Sequence, residues 1–171
     1  MIQKLRNRDE GFTIIEVLIV LAIAGLILLI IFLAVPALQR SSRNTQRKND
    51  AAAVAGAVAN YISNNGGTLV IAGGTKTDTD PNAVDVCAVA ACASGNFESA
   101  KLGYYTPANV SIIASSKPAG TLPTTNTIVV DPGYNCNSSN TDVGVATTRT
   151  AAVLYQIETG SGSSAMQCVE Q

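Results

Sequence analysis

The sequence predicts an α+β chain in which one long N-terminal helix packs on a small antiparallel β-sheet head. Three observations lead there. Residues 17–35 (VLIVLAIAGLILLIIFLAV) are apolar except for Gly25. From Ala51 to Ile62, apolar side chains recur at spacings of three and four. Beyond residue 66, short threonine-rich apolar runs alternate with turn clusters. The whole-chain averages of 47% apolar and 13% charged residues conceal this division. Residues 1–48 carry seven basic and three acidic side chains, a net +4; residues 49–171 carry four and nine, a net −5. There is no histidine in the 171 residues, so Ser-His or Cys-His catalysis, an imidazole base and a His-liganded zinc are all excluded. A net charge of −1 argues against nucleic acid as a partner reached through bulk electrostatics, and no nucleic-acid site is identified.

Between Phe12 and Leu38 the only charged residue is Glu16. As a helix, residues 12–36 span about 37 Å, enough to cross a hydrocarbon core of roughly 30 Å. Lys4, Arg6 and Arg8 precede it and Arg40, Arg43, Arg47 and Lys48 follow it, a balance too even to fix orientation. A secretory signal would need a shorter apolar region ending at a small-residue cleavage site, whereas Ala22-Ile23-Ala24 lies inside the run. An ordinary membrane anchor leaves two residues unexplained: Gly11, where the charged leader meets the apolar run, and Glu16. A carboxylate in a membrane helix costs about 2.5–3.5 kcal/mol, so it needs a positive partner. A cut between Gly11 and Phe12 would create an α-amine one helical turn before Glu16. In a bundle of parallel chains that amine could pair with a neighbour's Glu16 and set axial register.

The residues Arg6-Asn-Arg-Asp-Glu-Gly11, followed by Phe12-Thr-Ile-Ile-Glu16-Val-Leu-Ile-Val, resemble the leader and N-terminal segment of a type IV prepilin. The resemblance is close over residues 4–35. It implies a leader at 1–11, cleavage after Gly11 and N-methylation of Phe12 by prepilin peptidase. It also implies storage in the cytoplasmic membrane as a single-pass precursor. Assembly through Phe12 and Glu16 then yields an extracellular pilus, a helical homopolymer built by an assembly platform and its ATPase. The fold implied is pilin-like. Gly25 sits where pilins often carry a glycine, and Pro36 lies about three residues beyond the usual pilin proline. These two are the expected helix breaks. The role implied is structural rather than enzymatic, in adhesion, twitching motility or DNA uptake, with no catalytic residues, cofactor or metal. A minor pilin, or a pseudopilin of a type II secretion or competence system, shares the same motif. A single-pass protein exposing a ligand-binding domain is the alternative from another class.

The chain divides into the leader 1–11, a transmembrane or filament-core helix 12–38, an amphipathic continuation 39–65 and a head 66–171. Proline at 36 removes a backbone donor, and the helix is expected to resume beyond it. The stripe Ala51, Val54, Ala55, Val58 and Tyr61/Ile62 faces a core, and Asn64-Asn65-Gly66-Gly67 ends the helix. The basic cluster at 40–48 admits three readings: a lipid-headgroup patch, a subunit contact, or a solvated flank that stops translocation.

In the head, the expected strands are Val110–Ser115, Thr127–Asp131, Val143–Thr147, Ala151–Glu158 and Ala165–Val169. Asp131-Pro132-Gly133 and Thr159-Gly160-Ser161-Gly162 read as turns between them. Residues 66–106 read as loop with a short helix near 83–93. Four cysteines beyond a membrane-targeting segment point to disulfides rather than metal ligands, with three pairings possible. The favoured set is Cys87–Cys92 and Cys136–Cys168; the second resembles the C-terminal disulfide loop of many type IV pilins. The stretch Asp78-Thr-Asp80-Pro-Asn82-Ala-Val-Asp85 has the flavour of a calcium loop. However, Ala83 replaces the required glycine and Val89 the bidentate glutamate, so a solvated acidic turn is the plainer reading. Asn109 and Asn137 head short glycosylation-acceptor patterns.

Overall fold

The computed structural model describes residues 11–67, 80–87, 97–112, 123–160 and 162–170. It separates into two compact units, Met1–Gln39 and Arg40–Gln171. A single helix, α1 (Ile14–Asn64), contributes to both. It starts one residue after Thr13 and runs through Gly25 and Pro36 without interruption. The breaks expected at those two residues are therefore absent from this structure. Pro36 deletes one hydrogen bond to the preceding turn, and the flanking Ala, Leu and Val residues keep their own. The C-terminal end follows expectation. Asn65 N–H bonds the Tyr61 carbonyl at 3.0 Å and Gly67 N–H the Ile62 carbonyl at 2.8 Å, with Gly66 and Gly67 at φ +66° and +85°. This left-handed exit is what glycine permits.

The head contains two sheets. Strands β1 (Ala83–Val86) and β2 (Glu98–Lys101) form an antiparallel pair, in register Ala83 with Lys101 to Val86 with Glu98. The helix expected near 83–93 is thus a strand over 83–86, and residues 88–93 lie outside the described residues. Alternating Val84 and Val86 suit a buried pleat, and Asp85 between them is accommodated by a 2.6 Å hydrogen bond from the Ser99 hydroxyl. The second sheet has the order β3 (Val110–Ile112), β4 (Ile128–Cys136), β5 (Val143–Glu158), β6 (Ser164–Glu170). Strand β3 follows a single 3-10 turn at Pro107–Asn109 and pairs with β4 in parallel, while the other pairings are antiparallel. The sheet is therefore mixed rather than wholly antiparallel.

Two expected punctuation marks do not break strands. Asp131-Pro132-Gly133 runs on within β4, with Gly133 at φ +85°; the register shifts on either side of Tyr134, and the extra residues lie on the facing stretch of β5. The runs 143–147 and 151–158 are one sixteen-residue strand. Thr150, in the stretch of β5 where the register shifts, donates its hydroxyl to the Tyr134 carbonyl at 3.3 Å.

Period-two alternation gives the four-stranded sheet two apolar faces. Ile128, Val130, Ala151, Val153 and Tyr155 pack with Ala51, Val54, Ala55, Val58 and Ile62 of α1. The opposite face carries Val129, Ala152 and Leu154 together with Val143, Cys136 and Cys168. The helical stripe read from the sequence is therefore the floor of the main core.

Candidate functional site

In the first unit every large apolar side chain from Phe12 to Leu38 is exposed, and Phe12 most of all at 88%. The helix is long and apolar enough to cross a membrane. The one carboxylate within this surface, Glu16, is held by the first helical turn. Its Oε2 accepts the Thr13 backbone N–H at 2.9 Å and the Thr13 hydroxyl at 2.7 Å. The Glu16 N–H reaches back to the Thr13 hydroxyl at 3.4 Å. Thr13 is the cap and Glu16 the third helical residue, so the two form a reciprocal capping box. A carboxylate at this end also complements the positive end of the helix dipole. Thr13 was not singled out in the sequence, although the spacing Thr-x-x-Glu before an apolar run is the signal for it. Gly11 and Phe12 precede this turn outside the helix, and a Cβ at Gly25 would meet nothing within 4 Å.

In the second unit, the basic cluster after the apolar run is partly turned inward. Arg43 forms a two-pronged ion pair with Glu158, Nη2 to Oε2 at 2.7 Å and Nε to Oε1 at 3.3 Å. Arg47 is 1% exposed; its Nη2 donates to Glu158 Oε1 at 2.7 Å and to the Tyr104 hydroxyl at 2.6 Å. Its guanidinium carbon lies 4.5 Å from the centre of the Tyr104 ring. Asn44 closes the same seam by bonding both the N–H and the carbonyl of Glu158 at 2.9 Å. These contacts hold the Glu158 carboxyl below the usual carboxylate range, chiefly through the Arg43 hydrogen bond. Burial opposes that shift and Arg47 adds to it.

One turn further on, buried Asp50 accepts three backbone N–H groups, those of Gly103, Tyr104 and Tyr105, at 2.8, 2.8 and 2.9 Å. It fixes the loop after β2 against α1. Of the three readings of the basic cluster, neither a lipid patch nor a solvated flank describes buried Arg47, which ties the helix to its own head; Arg43 shares that tie through Glu158 and stays part-exposed. The sequence offered no sign that Glu158, 111 positions after Arg47, would be the partner.

Cys136 and Cys168 form a disulfide with a Cα–Cα separation of 5.7 Å, as expected. It joins β4 to β6 across the end of β5, and the Glu170 side chain accepts the Cys136 N–H beside it. Cys87 is buried and disulfide-bonded; its expected partner Cys92 lies outside the described residues. The acidic stretch divides. Asp80 pairs with Lys101 at 3.3 Å and Asp85 is buried with Ser99, so the two do not converge on one point. Among the described residues no group of acidic or cysteine side chains is placed to hold a metal. The Asn137 side chain is engaged in its own turn, with Oδ1 accepting the Thr141 N–H at 2.9 Å.

The comparison with family models turns on the first of these two regions. Residues 6–32 match the prokaryotic N-terminal methylation motif. That stretch is the class III signal peptide of type IV pilins, and it contains Gly11, Phe12, Thr13 and Glu16. The motif supports a pilin-like substrate of prepilin peptidase. Together with the apolar helix, it fits a membrane-anchored precursor. No curated protein and no solved structure matches the chain.

Proposed function

We propose that this chain is the precursor of a structural subunit of a type IV pilus, with no catalytic role of its own. Prepilin peptidase cleaves it after Gly11 and methylates the Phe12 amine. The product waits in the cytoplasmic membrane until an assembly platform and its ATPase extract it into a helical homopolymer on the cell surface. The observation that carries this reading is the exposed helix surface from Phe12 to Leu38, apolar but for Thr13 and Glu16, most of it within the matched motif. Such a surface is stable in lipid and equally stable against copies of itself. The Phe12 amine and a neighbour's Glu16 supply register, and each offsets the other's burial. Before assembly, the bonds from Thr13 offset part of the carboxylate's cost in lipid.

The Cys136–Cys168 loop favours a pilin over a pseudopilin, by its likeness to the C-terminal loop of many pilins. Electron microscopy of sheared surface material tests the reading. Filaments containing this chain support it. A chain found only as a membrane monomer with its leader attached contradicts it.

A further inference from the structure

Beside the part-buried Arg43–Glu158–Arg47 seam lies a cavity of about 360 Å³, lined by Arg40, Arg43, Glu158, Thr125, Thr159 and Ser164. It sits against the turn between β5 and β6, closely enough that a Cβ at Gly160 would stand 3.7 Å from Arg40 Nη1. We propose that this cavity binds the phosphate of an anionic phospholipid headgroup in the membrane that stores the chain. The proposal rests on the membrane-precursor reading above.

Three features of the cavity point to a phosphate. The first is unspent donors: Arg40 makes no hydrogen bond or ion pair among the described residues, and neither do the hydroxyls of Thr125 and Ser164. The second is charge. Two guanidinium groups, Arg40 and Arg43, line the cavity against one carboxylate, and Glu158 is already claimed by Arg43 and by buried Arg47 behind it, so the surplus is positive. The third is geometry of type, because a guanidinium fork flanked by hydroxyls matches the tetrahedral oxygens of a phosphate ester.

The position along the chain selects a lipid over a soluble phosphate. Arg40 follows Leu38, the last large side chain of the apolar surface, by two residues on the same helix. A span of about 20 residues crosses the hydrocarbon core, and the headgroup layer extends several ångströms beyond it. An arginine within one turn of the end of such a run stands at headgroup level, where anionic phosphates are concentrated.

Native mass spectrometry of the full chain, purified from membranes in a neutral detergent, tests this with phosphatidylglycerol and phosphatidylcholine offered in equal amounts. The expected result is about fivefold more phosphatidylglycerol adduct, the factor one basic side chain contributes at an anionic surface. Arg40→Gln should remove that excess and Arg40→Lys should keep part of it. Arg149→Gln, an exposed arginine outside this cavity, should leave it unchanged. Equal adducts of both lipids, or an equal loss in Arg149→Gln, overturns the proposal. Displacement by an equal concentration of inorganic phosphate reassigns the cavity to a soluble phosphate and overturns the lipid source. The same spectra report where the chain begins. A Phe12 start without lipid preference overturns the cavity proposal alone, whereas a Met1 start with lipid preference overturns the processing reading alone.

Discussion

The two halves of α1 solve opposite problems with one secondary structure. From Ile14 to Gln39 the helix shows apolar side chains on every face, and its single charge is satisfied within its own first turn. From Arg40 to Asn64 it buries one stripe, and its inward charges, Arg47 and Asp50, take their shortest hydrogen bonds from residues more than fifty positions away, with a longer 3.4 Å contact from Arg47 to Asn44. A charge on an element that must later change surroundings needs a local partner that travels with it. A charge on an element fixed for the life of the fold can take partners from anywhere in the chain. Glu16 and Thr13 are three residues apart, whereas Arg47 and Glu158 are 111 apart.

Substitutions in each half should break different things. Glu16→Ala should give the largest effect, abolishing surface filaments while processed protein still accumulates in the membrane. Immunoblots of membrane and sheared fractions read both, and normal piliation would sink the electrostatic-register account. Asp50→Ala should act on the other half, leaving three backbone N–H groups without their acceptor and destabilising the head by about 3 kcal/mol. Denaturant unfolding of the purified chain measures this, and a change below about 0.5 kcal/mol would show that the loop after β2 does not depend on Asp50.

The Glu158 seam should respond to acid. Its folded pKa lies below the ordinary value, so its contribution is complete above the ordinary carboxylate range. That contribution is lost as pH falls through the depressed folded value. Glu158→Gln should flatten that part of the stability profile, and an unchanged acid limb would contradict the assignment. Thr13→Val should have the smallest effect, about 1 kcal/mol for the lost cap. It should show as reduced but not abolished filament yield, because the Glu16 carboxylate remains.

Legibility in the sequence followed the range of the interaction. The helix, its stripe, its glycine stop and the Gly11/Phe12/Glu16 constellation all lie in local patterns, and each could be read residue by residue. The Thr13–Glu16 box was equally local. Strand positions from Val110 onward were legible from threonine-rich apolar runs, but two details were not. Pro132-Gly133 has the composition of a turn yet stays within β4, because β5 continues alongside, takes up the register shift with its own extra residues, and pairs on both sides of it. Val84 and Val86 lie in an alanine-rich stretch that favours helix locally, and pairing with β2 overrides that preference. The seam of Arg43, Arg47, Asp50, Tyr104 and Glu158 left no local trace at all. Its members come from α1, the loop after β2 and the end of β5, and only the closed fold brings them together.

The claim that binds these observations is that the Phe12–Leu38 surface is made, by one cut, into an assembly element. The mass of the chain in sheared surface filaments tests it most directly. The account predicts a single species beginning at N-methylated Phe12, and a species in those filaments that still begins at Met1 would contradict it.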